Sequence, residues 1–93
     1  MAQKDTKNKP RLSYIPYSSL VKIAEVRQFG IDKYGENKYD EVNVEDFLDA
    51  ALRHIFKHIE GEYIDNESGR SHLAHAATSL ILAMHNHERN NNV

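Results

Sequence analysis

Between Val44 and Ile59 the apolar residues Val44, Phe47, Leu48, Ala51, Leu52, Ile55, Phe56 and Ile59 recur at steps of three and four without a miss. That spacing gathers all of them on one side of an α-helix, whereas a strand would scatter them over both faces. A helix is therefore required here. Asn43 is placed to cap it, with Asp46 at the third position in an arrangement resembling a capping box, and Gly61 ends it.

Two more helices follow from the same reasoning. The first should start near Tyr17 or Ser18, because Pro16 is tolerated at a helix start, and should stop at Gly35. Leu20, Ile23, Ala24, Arg27, Ile31 and Tyr34 mark its stripe. The last carries Leu73, Ala76, Ala77, Leu80 and Met84 on one face and Ile81 and Leu82 beside them, so it is apolar nearly all round, as a buried central helix is. Asp65, Ser68 and Ser71 are its candidate caps, and from His85 onward the chain is expected to fray. Ahead of the first helix, Leu12 and Ile15 between Pro10 and Pro16 are expected to lie extended and pack across the bundle. No stretch alternates long enough to be a strand. The fold class is all-α, a three-helix unit made of a helical hairpin plus one helix. A polar tail over residues 1–9, a single helical domain over 10–88 and a second tail over 89–93 complete the organisation.

Composition narrows the function. A chain of 93 residues buries only about 60–65% of its unfolded surface, so its core is thin and self-association into a homo-oligomer is expected. It has no cysteine, which removes disulfides and thiolate metal sites. A net charge of −2 supplies no basic field for duplex nucleic acid. No apolar run approaches the ~20 residues that span a bilayer, and residues 1 to 9 lack the apolar core of a secretory signal. The expected location is the cytoplasm.

Four of the six histidines fall in one hairpin, as His54 and His58 at i, i+4 and His72 and His75 at i, i+3. Each pair can chelate a divalent metal, and Asp65 in the turn between them can add a carboxylate, with Glu67 beside it. The other reading of these histidines is as boundary residues, each hydrogen-bonded to a carboxylate or carbonyl. On the helix of Val44 to Ile59, Asp49 and His54 lie on opposite flanks, so one helix cannot bring both to the same ion unless a second subunit supplies the missing half. Lys9, Arg11, Lys33, Lys38 and Arg53 are candidates for phosphate contacts, and Tyr34 is a candidate for stacking on a base. Walker A loops, G-x-S-x-G elbows and cysteine nucleophiles are all missing, which argues against covalent catalysis.

Taken in order, Lys9-Pro10-Arg11-Leu12-Ser13-Tyr14-Ile15-Pro16, Lys33-Tyr34-Gly35, Leu48-Asp49-Ala50-Ala51-Leu52-Arg53-His54, Gly61-Glu62 and Asp65-x-Glu67-Ser68-Gly69-x-x-His72-Leu73-x-His75-Ala76-Ala77 resemble the small, phage-type dATP/dGTP diphosphohydrolase-like family, related to the MazG-like all-α nucleoside triphosphate pyrophosphohydrolases. The resemblance implies a MazG-like oligomeric bundle in the cytoplasm of a phage-infected host. It further implies metal-assisted hydrolysis of purine (deoxy)nucleoside triphosphates to monophosphate and pyrophosphate. MazG-type enzymes hold Mg²⁺ with E-x-x-E and E-x-x-D motifs; here His72-Leu73-Ala74-His75 stands where E-x-x-D would be, and Asp46-Phe47-Leu48-Asp49 is the nearest acidic pair. Imidazoles in place of carboxylates shift the expected ion from Mg²⁺ toward Mn²⁺ or Zn²⁺. On this resemblance Asp49 and Glu67 are the candidate catalytic carboxylates, and His54, His58, Asp65, His72 and His75 the candidate metal ligands. The alternative is a non-catalytic sponge that sequesters a nucleotide-derived immune signal of cyclic or ADP-ribose type.

Overall fold

The computed structural model describes residues 9–35 and 38–90, so most of the expected N-terminal tail and the last three residues of the C-terminal one lie outside it. Among the described residues the chain forms three α-helices and no strand: α1 (Tyr17–Tyr34), α2 (Val44–Ile59) and α3 (His72–Asn90). Single 3₁₀ turns precede α1 and α2, at Leu12–Tyr14 and Tyr39–Glu41. Helices α2 and α3 form the hairpin, and α1 packs mainly on α3. The all-α frame expected from the periodicity is therefore the one observed.

Helix starts and stops follow the sequence closely. Pro16 caps α1, and Gly35 closes it at φ 90 with its N–H on the Ile31 carbonyl. Asn43 stands at the N-cap of α2 but makes no side-chain cap bond, so the expected capping box is not formed. Ser71 is the residue that caps α3, its hydroxyl accepting from the Ala74 N–H at 3.0 Å. That helix does not fray at His85. It continues to Asn90, with Asn86 buried against the loop before α2 and with Asp40 of that loop 3.0 Å from Arg89 and 3.6 Å from His85.

The buried positions differ in kind from those expected. Helix α3 is the central element, yet its buried residues are His72, Ala74, Ala76, Thr78, Ala83 and Asn86, and they meet Ala51 of α2 and Val26 of α1 in a core of small side chains. Small residues let helix axes approach closely, and the large ones are left outside. Leu48, Leu52, Phe56 and Ile59 make an exposed stripe along α2, and Leu73, Leu80, Ile81 and Met84 are exposed on α3. Leu12 and Ile15 are exposed too, Leu12 in a 3₁₀ turn instead of an extended strap, so the expectation that they pack across the bundle is corrected.

Asn86 fixes the loop between α1 and α2. At 1% exposure its amide Nδ2 donates to the carbonyls of Tyr39 (2.8 Å) and Val42 (2.9 Å). Its Oδ1 is buried with no hydrogen-bond partner among the described residues. Two loop carbonyls thus depend on one side chain of α3. Replacing Asn86→Ala should lower stability by about 2 kcal/mol, the cost of leaving buried carbonyls unpaired. Asn86→Asp should cost more, because it removes the donor and sets a carboxylate against two carbonyl oxygens; chemical denaturation of the two variants checks the order.

Candidate functional site

The turn between α2 and α3 folds into a small hairpin. Gly61, at φ 98, lets the chain leave α2 while the Glu62 N–H returns to the Lys57 carbonyl at 3.0 Å. Ile64 and Ser71 then form an antiparallel bridge, with the His72 N–H on the Tyr63 carbonyl at 2.9 Å. Inside it the Asp65 N–H meets the Arg70 carbonyl and the Gly69 N–H meets the Asp65 carbonyl, both at 2.8 Å, with Gly69 at φ 72. A Cβ-bearing residue is strained at both glycines. The result is that Glu62, Asp65 and Ser68 are carried back over the N-terminal turn of α3, where the histidines are.

Three histidines meet there. His54 Nδ1 and His72 Nδ1 are 2.8 Å apart, and His72 Nε2 is 2.8 Å from the Glu62 carboxylate. The His54 ring also stacks on His75, centroids 4.4 Å apart and planes at 14°. His75 Nε2 lies 2.7 Å from the Ser68 hydroxyl and 3.7 Å from Asp65, and its ring meets the edge of Phe29 of α1.

These partners are satisfied by one set of tautomers. An ionised carboxylate only accepts, so His72 donates to Glu62 through Nε2–H, and in the Nε2–H tautomer its Nδ1 accepts from His54. His54 is left with a lone pair on Nε2. The Ser68 oxygen accepts from the Arg70 N–H at 3.1 Å and, in the Nε2–H tautomer of His75, from that ring at 2.7 Å, which leaves the His75 lone pair on Nδ1. Burial pushes the His54 imidazole down to about 4, and the neighbouring His75 and His72 add to the effect. Burial also lowers His75, against the opposing pull of Asp65. For Asp65 burial acts to raise the carboxyl, but the hydroxyl and N–H of Ser68 together with His75 hold it below its ordinary value. In these tautomers the neutral imidazoles of His54 and His75 each keep one ring nitrogen uncommitted among the described residues, beside the Asp65 carboxylate.

Cationic groups border this cluster. Lys33 of α1 reaches the Glu67 carboxylate at 2.7 Å, an ion pair that raises the lysine, and Arg70 lies 3.5 Å from Glu25. Both pairs sit at the surface.

Of the residues singled out from sequence, His54, His72, His75 and Asp65 are brought together, and Glu67 lies at their edge through Lys33. His58 is not with them: its ring packs on Tyr63, centroids 4.8 Å apart. Asp49 is exposed, and its place on α2 is about 140° round from His54, the opposite flank foreseen for it. Arg53 is exposed on α2, and Lys9 and Arg11 are exposed ahead of α1. Tyr34 and Lys38 instead line a cleft of about 660 Å³ between α1, the 38–42 loop and the hairpin. Among the described residues, no three His, Asp or Glu side chains surround a common point as ligands of one ion.

Sequence reasoning gives Glu62 and Ser68 no part in the site: Glu62-x-x-Asp65 is visible as a spacing that falls in a turn and Ser68 as a candidate cap, and their value depends on the turn that returns them to the histidines.

The whole chain, residues 1–93, matches the sequence profile of the dATP/dGTP diphosphohydrolase N-terminal family. The chain belongs to that family. A dATP/dGTP diphosphohydrolase from Salmonella phage PMBT28 is 34% identical over 73 residues, which cover 78% of this chain and 25% of that protein. The matched part thus spans about a quarter of the relative's length. No solved structure matches the chain. No helix among the described residues is long and apolar enough to cross a membrane.

The imidazole cluster predicts an acid-labile fold. In the unfolded chain His54 takes up a proton near its ordinary value of ~6.5, whereas in the fold it does so only near 4. Between those limits acid favours unfolding, and above pH 7 the effect vanishes. The melting temperature should hold steady from pH 7 to 8 and fall from pH 6.5 toward 4, and His54→Gln should flatten that fall.

Proposed function

We propose that the cluster of His54, His72 and His75 with Glu62, Asp65 and Ser68 is a hydrolytic centre for purine (deoxy)nucleoside triphosphates, working with a divalent metal and releasing monophosphate and pyrophosphate. The observation that carries this reading is the pair of neutral imidazoles, each fixed through one nitrogen by a carboxylate-linked network and left with a lone pair on the other. Metal-ligating histidines are oriented in the same way. The family to which the chain belongs and the name of its phage relative support the substrate class.

The donor set fits a divalent ion in its chemistry. His54 or His75 would hold it, and because the two rings are stacked in nearly parallel planes one of them would have to turn for both to reach the same ion; Asp65 and Glu67 stand nearby as oxygen donors, and nitrogen ligands favour Mn²⁺ or Zn²⁺ over Mg²⁺. Bound there, the ion would supply charge neutralisation on the phosphates and a water of lowered pKa. The chain's own contributions are separate. Glu62 sets the tautomer of His72 and through it that of His54, Ser68 and Asp65 orient His75, and Lys33 and Arg70 offer cations to phosphate oxygens. Glu67 is the catalytic carboxylate we favour within one chain; Asp49 can take part only from a second subunit.

Self-association belongs to the same proposal. Leu48, Leu52, Phe56 and Ile59 form one apolar line along α2, with Ile59 69% exposed. Burying such a line favours association at about 25 cal/mol per Å². Sedimentation should find an oligomer, and Phe56→Glu should shift it toward monomer while leaving the helical circular dichroism intact.

A second reading is favoured by one observation, the lack of three converging ligands among the described residues. In that reading the protein is a sponge that holds a nucleotide or a cyclic or ADP-ribose-type signal unchanged. Incubation with each deoxynucleoside triphosphate and Mg²⁺, Mn²⁺ or Zn²⁺ separates the two. Pyrophosphate release, lowered about 10–100-fold by Glu62→Ala, supports the hydrolase. Recovery of intact bound nucleotide in every case overturns it.

A further inference from the structure

The cleft beside the hairpin is built unlike the imidazole cluster. Its volume of about 660 Å³ lies in the range of small-molecule sites. Tyr34, Tyr39 and Phe47 supply aromatic walls, Arg27 and Lys38 are its cations, and Glu41 is its one carboxylate. The Arg27 guanidinium lies over the Tyr39 ring, 5.1 Å from its centroid. Asn86 fixes the floor by holding the carbonyls of Tyr39 and Val42. A flat aromatic heterocycle is the ligand that such walls accept by stacking.

Register ties this cleft to the cluster. Phe47 lines the cleft and His54 lies seven residues on along α2; Leu82 lines it and His75 lies seven residues back along α3. Seven residues are two turns and return to nearly the same face, so the cleft and the imidazoles lie in line along the hairpin, ~10 Å apart. Adjacent residues of α1 serve both ends: Tyr34 lines the cleft and Lys33 reaches Glu67 at the border of the cluster. The sugar and phosphate chain of an extended nucleotide bridge a gap of that size.

We propose that the cleft is the base-binding half of the site, taking a nucleobase that bears an exocyclic amino group and donates it to Glu41. This rests on the cluster being the phosphate end. An amino group gives the Glu41 carboxylate a hydrogen-bond donor, which a base lacking one does not. The selection is for the amino-bearing bases, adenine and guanine among them, over thymine.

Nucleosides without phosphate test the base end alone. Titrated into the full chain, deoxyadenosine and deoxyguanosine should shift the amide resonances of Gly30, Ile31, Val42 and Leu82 and spare Ser68 and His75. Thymidine should shift them much less. The matching triphosphate should extend the shifts to Lys33, Ser68 and His75. If the nucleosides perturb the cleft while no triphosphate is turned over, the base site stands and only the hydrolase reading fails. If triphosphates are bound and hydrolysed but nucleosides leave those amides unmoved, or thymidine shifts them equally, the base site is overturned and the hydrolase reading stands. For an active enzyme, Tyr34→Leu should raise KM about tenfold through lost stacking while leaving kcat nearly unchanged. Tyr34→Phe should restore KM. A fall in kcat with KM constant would overturn the assignment.

Discussion

The close approach of α2 to α3 is the constraint from which the rest follows. Ala51 is buried on α2, Ala76 and Ala83 are buried on the His72 face of α3, and side chains this small let the backbones come near enough for His54 and His72 to share a hydrogen bond at 2.8 Å. Larger residues would hold the imidazoles apart. They would then be two solvated chelating pairs on separate helices, which is all that their spacing alone describes. The contact also explains the polarity of α3, whose buried line runs through His72 and Asn86 as well as alanines. Each is retained because a neighbour answers it, Glu62 and His54 for the first and two loop carbonyls for the second.

The proton assignment makes the cluster more than a satisfied boundary. A histidine buried only for packing can use both nitrogens, as His72 does. His54 and His75 each use one, and the desolvation that keeps them neutral keeps the other nitrogen available at neutral pH. The carboxylates act at one remove, Glu62 through His72 and Asp65 through Ser68. Neutral nitrogen donors backed by ionised oxygens suit both ligation and proton acceptance, and these two tasks are what hydrolysis of a phosphoanhydride demands.

Much of this frame was legible in the sequence, because helix periodicity and stop residues are local signals. Pro16, Gly35, Asn43 and Gly61 mark the ends of α1 and α2, and the opposite flanks of Asp49 and His54 follow from counting along a helix. The burial pattern was not legible. Leu48, Leu52, Phe56 and Ile59 belong to the same apolar face as Ala51, yet they remain outside while the alanine is covered, since only tertiary packing decides which part of a broad stripe meets a neighbour. Leu12 and Ile15 fail for the same reason. The candidate site was legible as residue types and not as partners. His58 shares its helix with His54 but turns to Tyr63, and Glu62 and Ser68 acquire their place from the turn over residues 60–71, whose fold depends on Gly61 and Gly69.

The seam between α1 and the hairpin carries a consequence of its own. Helix α1 leans mainly on α3, and its links to the turn above the imidazoles are surface pairs, Lys33 with Glu67 and Glu25 with Arg70, together with the edge of Phe29. Exposed ion pairs of this sort contribute little cohesion in water. Whatever molecule occupies the space between α1 and the hairpin therefore becomes a structural member, joining a weakly held helix to a tightly held pair. A ligand seated there would raise the melting temperature of the whole chain as it fills the space.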